Sequence, residues 1–89
     1  MACDSVIAAA LEYESATLDA LRALNGTDGD AQLAACLRFV DALQAIDAMP
    51  DRDRGLTYLM QRGRIPDFAW RRVHDAMKIM AADLGSPVH

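Results

Sequence analysis

Apolar side chains recur along this chain at intervals of three and four residues, the spacing that places them on one side of an α-helix. The pattern predicts a first helix over residues 5–24, with Asp4 or Ser5 as the cap of its first turn. Asn25 and Gly26 follow this helix and favour a left-handed turn at its end. Its buried face is expected to hold four large apolar residues: Ile7, Leu11, Leu18 and Leu21.

A second helix is predicted over residues 31–49, with Asp28 or Asp30 as its cap and Pro50 directly after its end. One broad side of it carries the apolar residues Leu33, Cys36, Leu37, Phe39, Val40, Leu43 and Ile46. Much of the opposite side is alanine, at Ala34, Ala35, Ala42 and Ala45. A helix that is apolar nearly all round is usually buried on more than one face. We therefore expect this helix to be central in the fold or shared between subunits.

The remaining chain predicts a short helix over residues 54–62 and a long one over 66–84. Gly55 weakens the first turn of the short helix, and Gly63 ends it. No segment of useful length alternates with a period of two residues, so no strand is predicted. Short connections favour antiparallel neighbours. The expected fold is therefore all-α, a small antiparallel bundle of three long helices plus one short helix, in a single domain over residues 1–89.

The alanine side of the second helix is the main candidate for an interface, because small side chains let another helix approach closely and so small a domain has few elements left to cover it. The outer side of the last helix adds a second apolar spot. The interface candidates on these two surfaces are Ala34, Ala35, Ala42, Ala45, Phe68 and Ile79. We expect a homodimer or a complex with a helical partner protein, since a two-fold dimer is the commonest symmetric assembly.

Three polar residues lie on or beside predicted apolar faces: Glu14, Arg38 and His74. A carboxylate on such a face needs a partner to offset its lost hydration, so Glu14 is expected at the edge of the face or paired with an arginine of another helix. The three could converge in the core of the bundle, although their spacing alone does not predict this. No catalytic triad, nucleophile elbow, phosphate loop or metal-binding motif is present in the sequence, and no catalytic, cofactor or metal residue is predicted.

An arginine-rich segment suggests a different use of the chain. Residues 62–66, with the sequence Arg-Gly-Arg-Ile-Pro, together with Trp70 and the two arginines after it, resemble the junction after the recognition helix in small phage-type helix-turn-helix repressors. Residues 51–61 depart from that family, because they supply one short segment where it has a first helix and a tight turn. The candidate nucleic-acid contacts are Arg62, Arg64, Arg71 and Arg72.

The charge balance argues against nucleic acid as the partner, because the net charge is −4. Residues 1–49 carry eight acidic and two basic side chains, whereas residues 50–89 carry five acidic and seven basic ones. This split favours attraction between the two halves within one fold. Cys3 and Cys36 are interpreted as a terminal thiol and a buried small apolar residue. The sequence shows neither a membrane span nor a secretory signal, so we expect the cytoplasm.

These observations favour a non-catalytic protein-interaction module such as a small helical chaperone, adaptor or regulatory partner. A DNA-binding regulator that uses residues 62–72 is the alternative hypothesis. A small helical enzyme or carrier is the third. Asp4, Ser5 and Val6 are similar to the Asp-Ser-Leu signature of acyl carrier proteins, although in that family the serine follows a whole helix and a long loop.

Overall fold

The computed structural model describes residues 4–83, and within this range the chain is helical with no strand. The four helices are α1 (Ser5–Asn25), α2 (Gly29–Asp47), α3 (Arg52–Arg62) and α4 (Asp67–Asp83). The predicted all-α bundle of three long helices and one short helix is confirmed. Each predicted boundary lies within two residues of the observed one, and the predicted end of α4 at residue 84 lies outside the described range.

The long helices α1, α2 and α4 form the bundle, and α3 lies in the connection between α2 and α4. α1 and α2 are antiparallel, because Tyr13 packs on Phe39 near the middle of the pair while Ala23, near the end of α1, accepts a hydrogen bond from Gln32, near the start of α2. α3 runs in the same direction as α1. The ion pairs that join these two helices show this, since Arg54 reaches residue 4 of α1 and Arg62 reaches residue 14.

Aspartate caps begin the first two helices, as expected. Asp4 accepts hydrogen bonds from the backbone N–H groups of residues 6 and 7, and Asp28 accepts from those of residues 30 and 31. The left-handed turn predicted after α1 is wrong, because Gly26 is extended, with φ −98° and ψ −177°. Gly63 is the one described residue with positive φ, at 61°. It closes α3 by donating its N–H to the carbonyl of Leu59.

The buried face of α1 differs from the predicted leucine stripe. Val6, three of the alanines and Thr17 lie inside, while Ile7, Leu18 and Leu21 are only partly buried and Leu11 is exposed. Small side chains let the α1 axis approach three other helices closely, and the leucines then fill the margins of these contacts. The fully enclosed residues of α1 are Ala10, Ala16, Thr17 and Ala20.

In α2, too, the residues that face inward differ from those expected, and part of the interface prediction is therefore wrong. Ala35 and Ala42 lie inside the bundle, at 8% and 6% exposure, so the expectation that the whole alanine side would stay uncovered is wrong for these two residues. Ala34 is exposed, as is Leu37 at 51%. The reason is that α1 packs against alanines rather than leucines. α2 packs against all three other helices, as α1 does, which agrees with the first of its two expected positions, central in the fold.

Candidate functional site

An open groove lies where α1, α3 and α4 meet, and its volume is about 310 Å³. It exists because no Cα atom of α3 comes within 8 Å of a Cα atom of α4, although both helices pack on α1. Seven residues line it: Tyr13, Leu56, Leu59, Met60, Asp67, Trp70 and Arg71. We refer to this surface as the α3–α4 groove.

The floor of the groove rests on an aromatic cluster that joins three helices. Tyr13 lies 5.0 Å from Trp70 and 5.6 Å from Phe39 between ring centroids, and Phe39 meets His74 edge-on at 6.3 Å. Burial, with a smaller contribution from the charge of Asp47, raises the pKa of Tyr13 to about 12. Tyr13 is therefore a neutral, packed residue at ordinary pH, and the floor is apolar and preformed.

The rim combines an exposed apolar side chain with two opposite charges. Met60 stands at the edge formed by α3 with 71% of its surface exposed. Asp67 and Arg71 occupy the opposite edge, one turn apart on α4, and neither forms an ion pair within residues 4–83. A concave apolar floor with a few polar groups at its margin is the usual form of a binding site.

Glu14 is 4% exposed and follows Tyr13 of the groove floor along α1. Its two carboxylate oxygens accept hydrogen bonds from Nε and Nη2 of Arg62, both at 3.2 Å. Arg62 also lies over the ring of Tyr58, 5.6 Å from its centroid. The hydrogen bonds to Glu14, followed by the one to Tyr58, raise the pKa of Arg62. The predicted pairing of Glu14 with an arginine of another helix is therefore present.

Glu14, Arg38 and His74 do not converge in a common site. Arg38 is half-buried and donates hydrogen bonds to Glu12, Asp19 and Ser15 on the surface of α1. His74 packs against Phe39 in the aromatic cluster. Each of the three polar residues thus has its own surroundings, because they project from different sides of the helices that carry them.

The four candidate nucleic-acid residues do not form one basic patch. Arg62 is turned inward to Glu14, and Arg72 donates a hydrogen bond to Asn25 at 3.4 Å. Arg71 lies on the groove rim next to a carboxylate, and Arg64 is exposed in the connection before α4. The resemblance to helix-turn-helix repressors also lacks its geometry, because α3 precedes the arginine segment as a single helix packed along α1.

The remaining interface candidates lie on two separate surfaces. Ala34 borders a shallow groove between α1 and α2, with Arg22 and Arg38 at its edge. Ala45 is exposed further along α2. Phe68 and Ile79 are 74% and 65% exposed on α4. The latter two are eleven residues apart on the helix, with charged residues between them, so they do not form a continuous apolar patch.

The buried thiol of Cys36 agrees with its interpretation as a small apolar residue. It donates a weak hydrogen bond to the carbonyl of Met77, and burial raises its pKa. Cys3 lies outside the described residues.

Local apolar spacing did not predict the α3–α4 groove, because it marks Leu56 and Met60 only as apolar positions of the short helix and Trp70 as part of the apolar face of the last one. One feature of the sequence pointed to it. The segment between Pro50 and Gly63 is too short to cover the full length of α1 and α4, so part of their apolar surface must remain at the margin.

No model of a protein family matches the sequence, and neither curated proteins nor solved structures give a match. Within residues 4–83 the helices are too short or too polar to cross a lipid bilayer.

Proposed function

We propose that this chain is a protein-interaction module that binds an amphipathic helix of a partner protein in the α3–α4 groove. The observation that carries the proposal is the groove itself, an apolar concavity between two helices whose Cα atoms stay more than 8 Å apart. Grooves between helices accept the apolar stripe of a third helix, because its side chains at intervals of three and four residues fill them. The module acts by binding and needs no catalytic group.

The residues at the rim of the groove indicate which side chains the partner helix should carry. Asp67 favours a basic residue beside the apolar stripe of the partner, and Arg71, one turn further along α4, favours an acidic one. Exposed Met60 supplies a flexible apolar edge that adapts to the incoming side chains. Trp70 and Tyr13 provide the large, already ordered contact area that interface hot spots require.

A second copy of this chain is a less suitable occupant of the groove than a different protein. The exposed apolar ridges of the chain, at Leu37 on α2 and Phe68 on α4, are different surfaces from the groove. A two-fold dimer through the groove would need a ridge and the groove to form one self-complementary surface, whereas a ridge on a separate surface makes a head-to-tail contact that leads to rings or open-ended filaments.

The test is selection of binders from a displayed library of helical peptides with apolar stripes and varied flanking charges. Trp70 is the single tryptophan, so its fluorescence reports occupancy of the groove directly. We expect the selected peptides to shift this emission and to lose at least about tenfold in affinity when Met60→Glu places a charge at the rim.

Phe68→Glu is the matched control, since Phe68 is equally exposed but lies outside the groove. Equal loss of binding in both variants, or no enrichment of any helical peptide, would contradict the proposal. Sedimentation of the chain alone tests the homodimer. A dimer dissociated by Met60→Glu would assign the groove to a second copy, and one dissociated by Ala45→Arg would assign the interface to α2. Ala42 is unsuitable for this test because a charge there would enter the core.

A further inference from the structure

The short helix α3 is held to the bundle in a way that the long helices are not. Of its eleven residues only Gly55 and Leu59 are buried. It packs along α1, approaches α2 closely at few points and does not approach α4. Leu56 and Tyr58 add partly buried contacts with the core. Because apolar burial is the main source of stability in a packed helix, α3 lies closely along α1 but is fixed there by fewer enclosed side chains than the long helices have.

Two arginines, one near each end of α3, form ion pairs that also hold this helix in place. Arg54 donates hydrogen bonds to Asp4 at 2.5 and 3.0 Å and to Asp51 at 2.8 Å, and all three side chains are about half exposed. Arg62 donates to Glu14 at the other end. Exposed ion pairs are screened by salt and contribute little. Glu14, in contrast, is buried and has Arg62 as its hydrogen-bonding partner.

We infer that α3 is a strap that opens as a unit from α1 while α1, α2 and α4 remain folded, with the Glu14–Arg62 pair as its main latch. A buried ion pair holds its two elements less firmly than an apolar contact of the same size, since both ions regain hydration when they separate. Opening exposes the carboxylate of Glu14 to water and uncovers Val6 and Ala10, which α3 covers at Gly55. It also removes one wall of the α3–α4 groove. The inference concerns the chain alone and holds whether or not a helical partner is found.

Native-state hydrogen exchange of the whole chain, followed residue by residue by NMR, tests this. We expect the amides of residues 56–62 to exchange together and at least about tenfold faster than the amides of α4 that face the bundle, through an opening that does not unfold α4. Raising the ionic strength should speed the exchange of α3 only slightly, because salt screens the exposed pairs of Arg54 more than the buried Glu14–Arg62 pair, and it should leave the exchange of α4 nearly unchanged. Exchange of α3 at the rate of α4 in the unmodified chain would overturn the inference.

Variants at the latch make the test specific. Arg62→Gln should speed the exchange of α3 by at least about tenfold without changing α4, because it leaves Glu14 buried without its ionic partner. Arg52→Gln is the matched control, since Arg52 lies in the same helix and, within residues 4–83, its side chain forms no ion pair and donates one hydrogen bond, to the carbonyl of Asp47 at 3.4 Å. The double variant Glu14→Leu with Arg62→Leu should slow the exchange of α3 to or below its original rate. Equal effects of Arg62→Gln and Arg52→Gln, or equal effects of Arg62→Gln on α3 and α4, would contradict a latch at this pair.

Discussion

α3 and α4 both lie along α1, but they are attached to the bundle by opposite means. α4 buries a regular stripe of apolar residues at every fourth position: Ala69, Val73, Met77 and Ala81. α3 buries a glycine and one leucine, and arginines near its two ends reach carboxylates of α1. The attachment of α4 is therefore insensitive to salt, whereas that of α3 depends on charge. The bundle and the strap are expected to respond differently to the same kind of change.

The largest expected difference between α3 and α4 is in the free energy of unfolding lost when one buried side chain in each helix is truncated. Met77→Ala in α4 should lower the free energy of unfolding by about 2–5 kcal/mol, since it removes buried methylenes and leaves a cavity. Leu59→Ala in α3 should lower it by less, because the loss cannot exceed the free energy of opening α3. Once α3 is detached, its contacts no longer contribute. Urea unfolding followed by circular dichroism measures both, and equal losses would show that α3 is as firmly attached as α4.

The stability of the chain at alkaline pH tests the burial of Tyr13, the residue of α1 that lines the groove between α3 and α4. Burial and the charge of Asp47 raise the pKa of Tyr13 to about 12 from an ordinary value of 10.0. The neutral phenol is thus favoured in the folded state, so its contribution to stability is complete below pH 10 and is lost as the pH rises through 12. A difference of this size corresponds to about 2–3 kcal/mol.

We expect the free energy of unfolding to fall over that interval and Tyr13→Phe to remove most of the fall. Tyr58, which remains in the variant, is the internal control for general alkaline effects. A fall of the same size in Tyr13→Phe would mean that the groove floor is hydrated rather than buried.

The sequence predicted the helices well because their caps and breakers act locally. Asp4, Asp28 and Gly63 each set a boundary through contacts within a few residues, and α2 ends shortly before Pro50. The faces of α1 and α2 were predicted less well. Helical spacing marks an apolar side but does not decide whether the leucines or the alanines of a nearly all-apolar helix face inward. That choice depends on how closely the partner helix approaches, which is a property of the assembled bundle.

The candidate site was predictable only in part for the same reason. Glu14 stood out as a carboxylate on an apolar face, and the need for an arginine partner followed from elementary electrostatics. Which arginine would reach it could not be read from spacing, since Arg62 is 48 residues away along the chain. The α3–α4 groove depends on α3 lying along one part of α1, a tertiary arrangement that no local pattern encodes.

A smaller effect is expected where α3 touches α1 most closely. A Cβ atom at Gly55 would lie 3.1 Å from both Cγ2 and the carbonyl oxygen of Val6. Alanine is favoured over glycine in a helix by about 1 kcal/mol, but the carbonyl belongs to the backbone of α1 and cannot move aside. We therefore expect Gly55→Ala to displace α3 and to destabilise it by about 1 kcal/mol net, seen as faster exchange of α3.

Gly29→Ala is the control for propensity alone, because no atom lies within 4 Å of a Cβ placed there. It should be neutral or slightly stabilising. If Gly55→Ala were stabilising to the same degree, the close contact of α3 with α1 would be absent in solution.

The smallest expected effect concerns the exposed ion pair at the start of α3. The hydrogen bond from Arg54 holds the pKa of Asp4 below its ordinary value. Its contribution to stability is therefore present above the unfolded pKa, near 3.8, and is lost as the pH falls through the lower folded pKa. Protection of the α3 amides, corrected for intrinsic exchange, should decrease slightly as the pH falls from about 5 to about 3.

Asp4→Asn should reproduce this loss at neutral pH, because asparagine still caps α1 but cannot pair with the charge of Arg54. Its effect on α3 should be much smaller than that of Arg62→Gln, since the side chains of Asp4 and Arg54 are 42% and 55% exposed and water and salt screen them. The ranking of these two variants decides which end of α3 holds it. If Asp4→Asn loosens α3 as much as Arg62→Gln does, the buried carboxylate is not the latch, and the strap is held equally by charges at both of its ends.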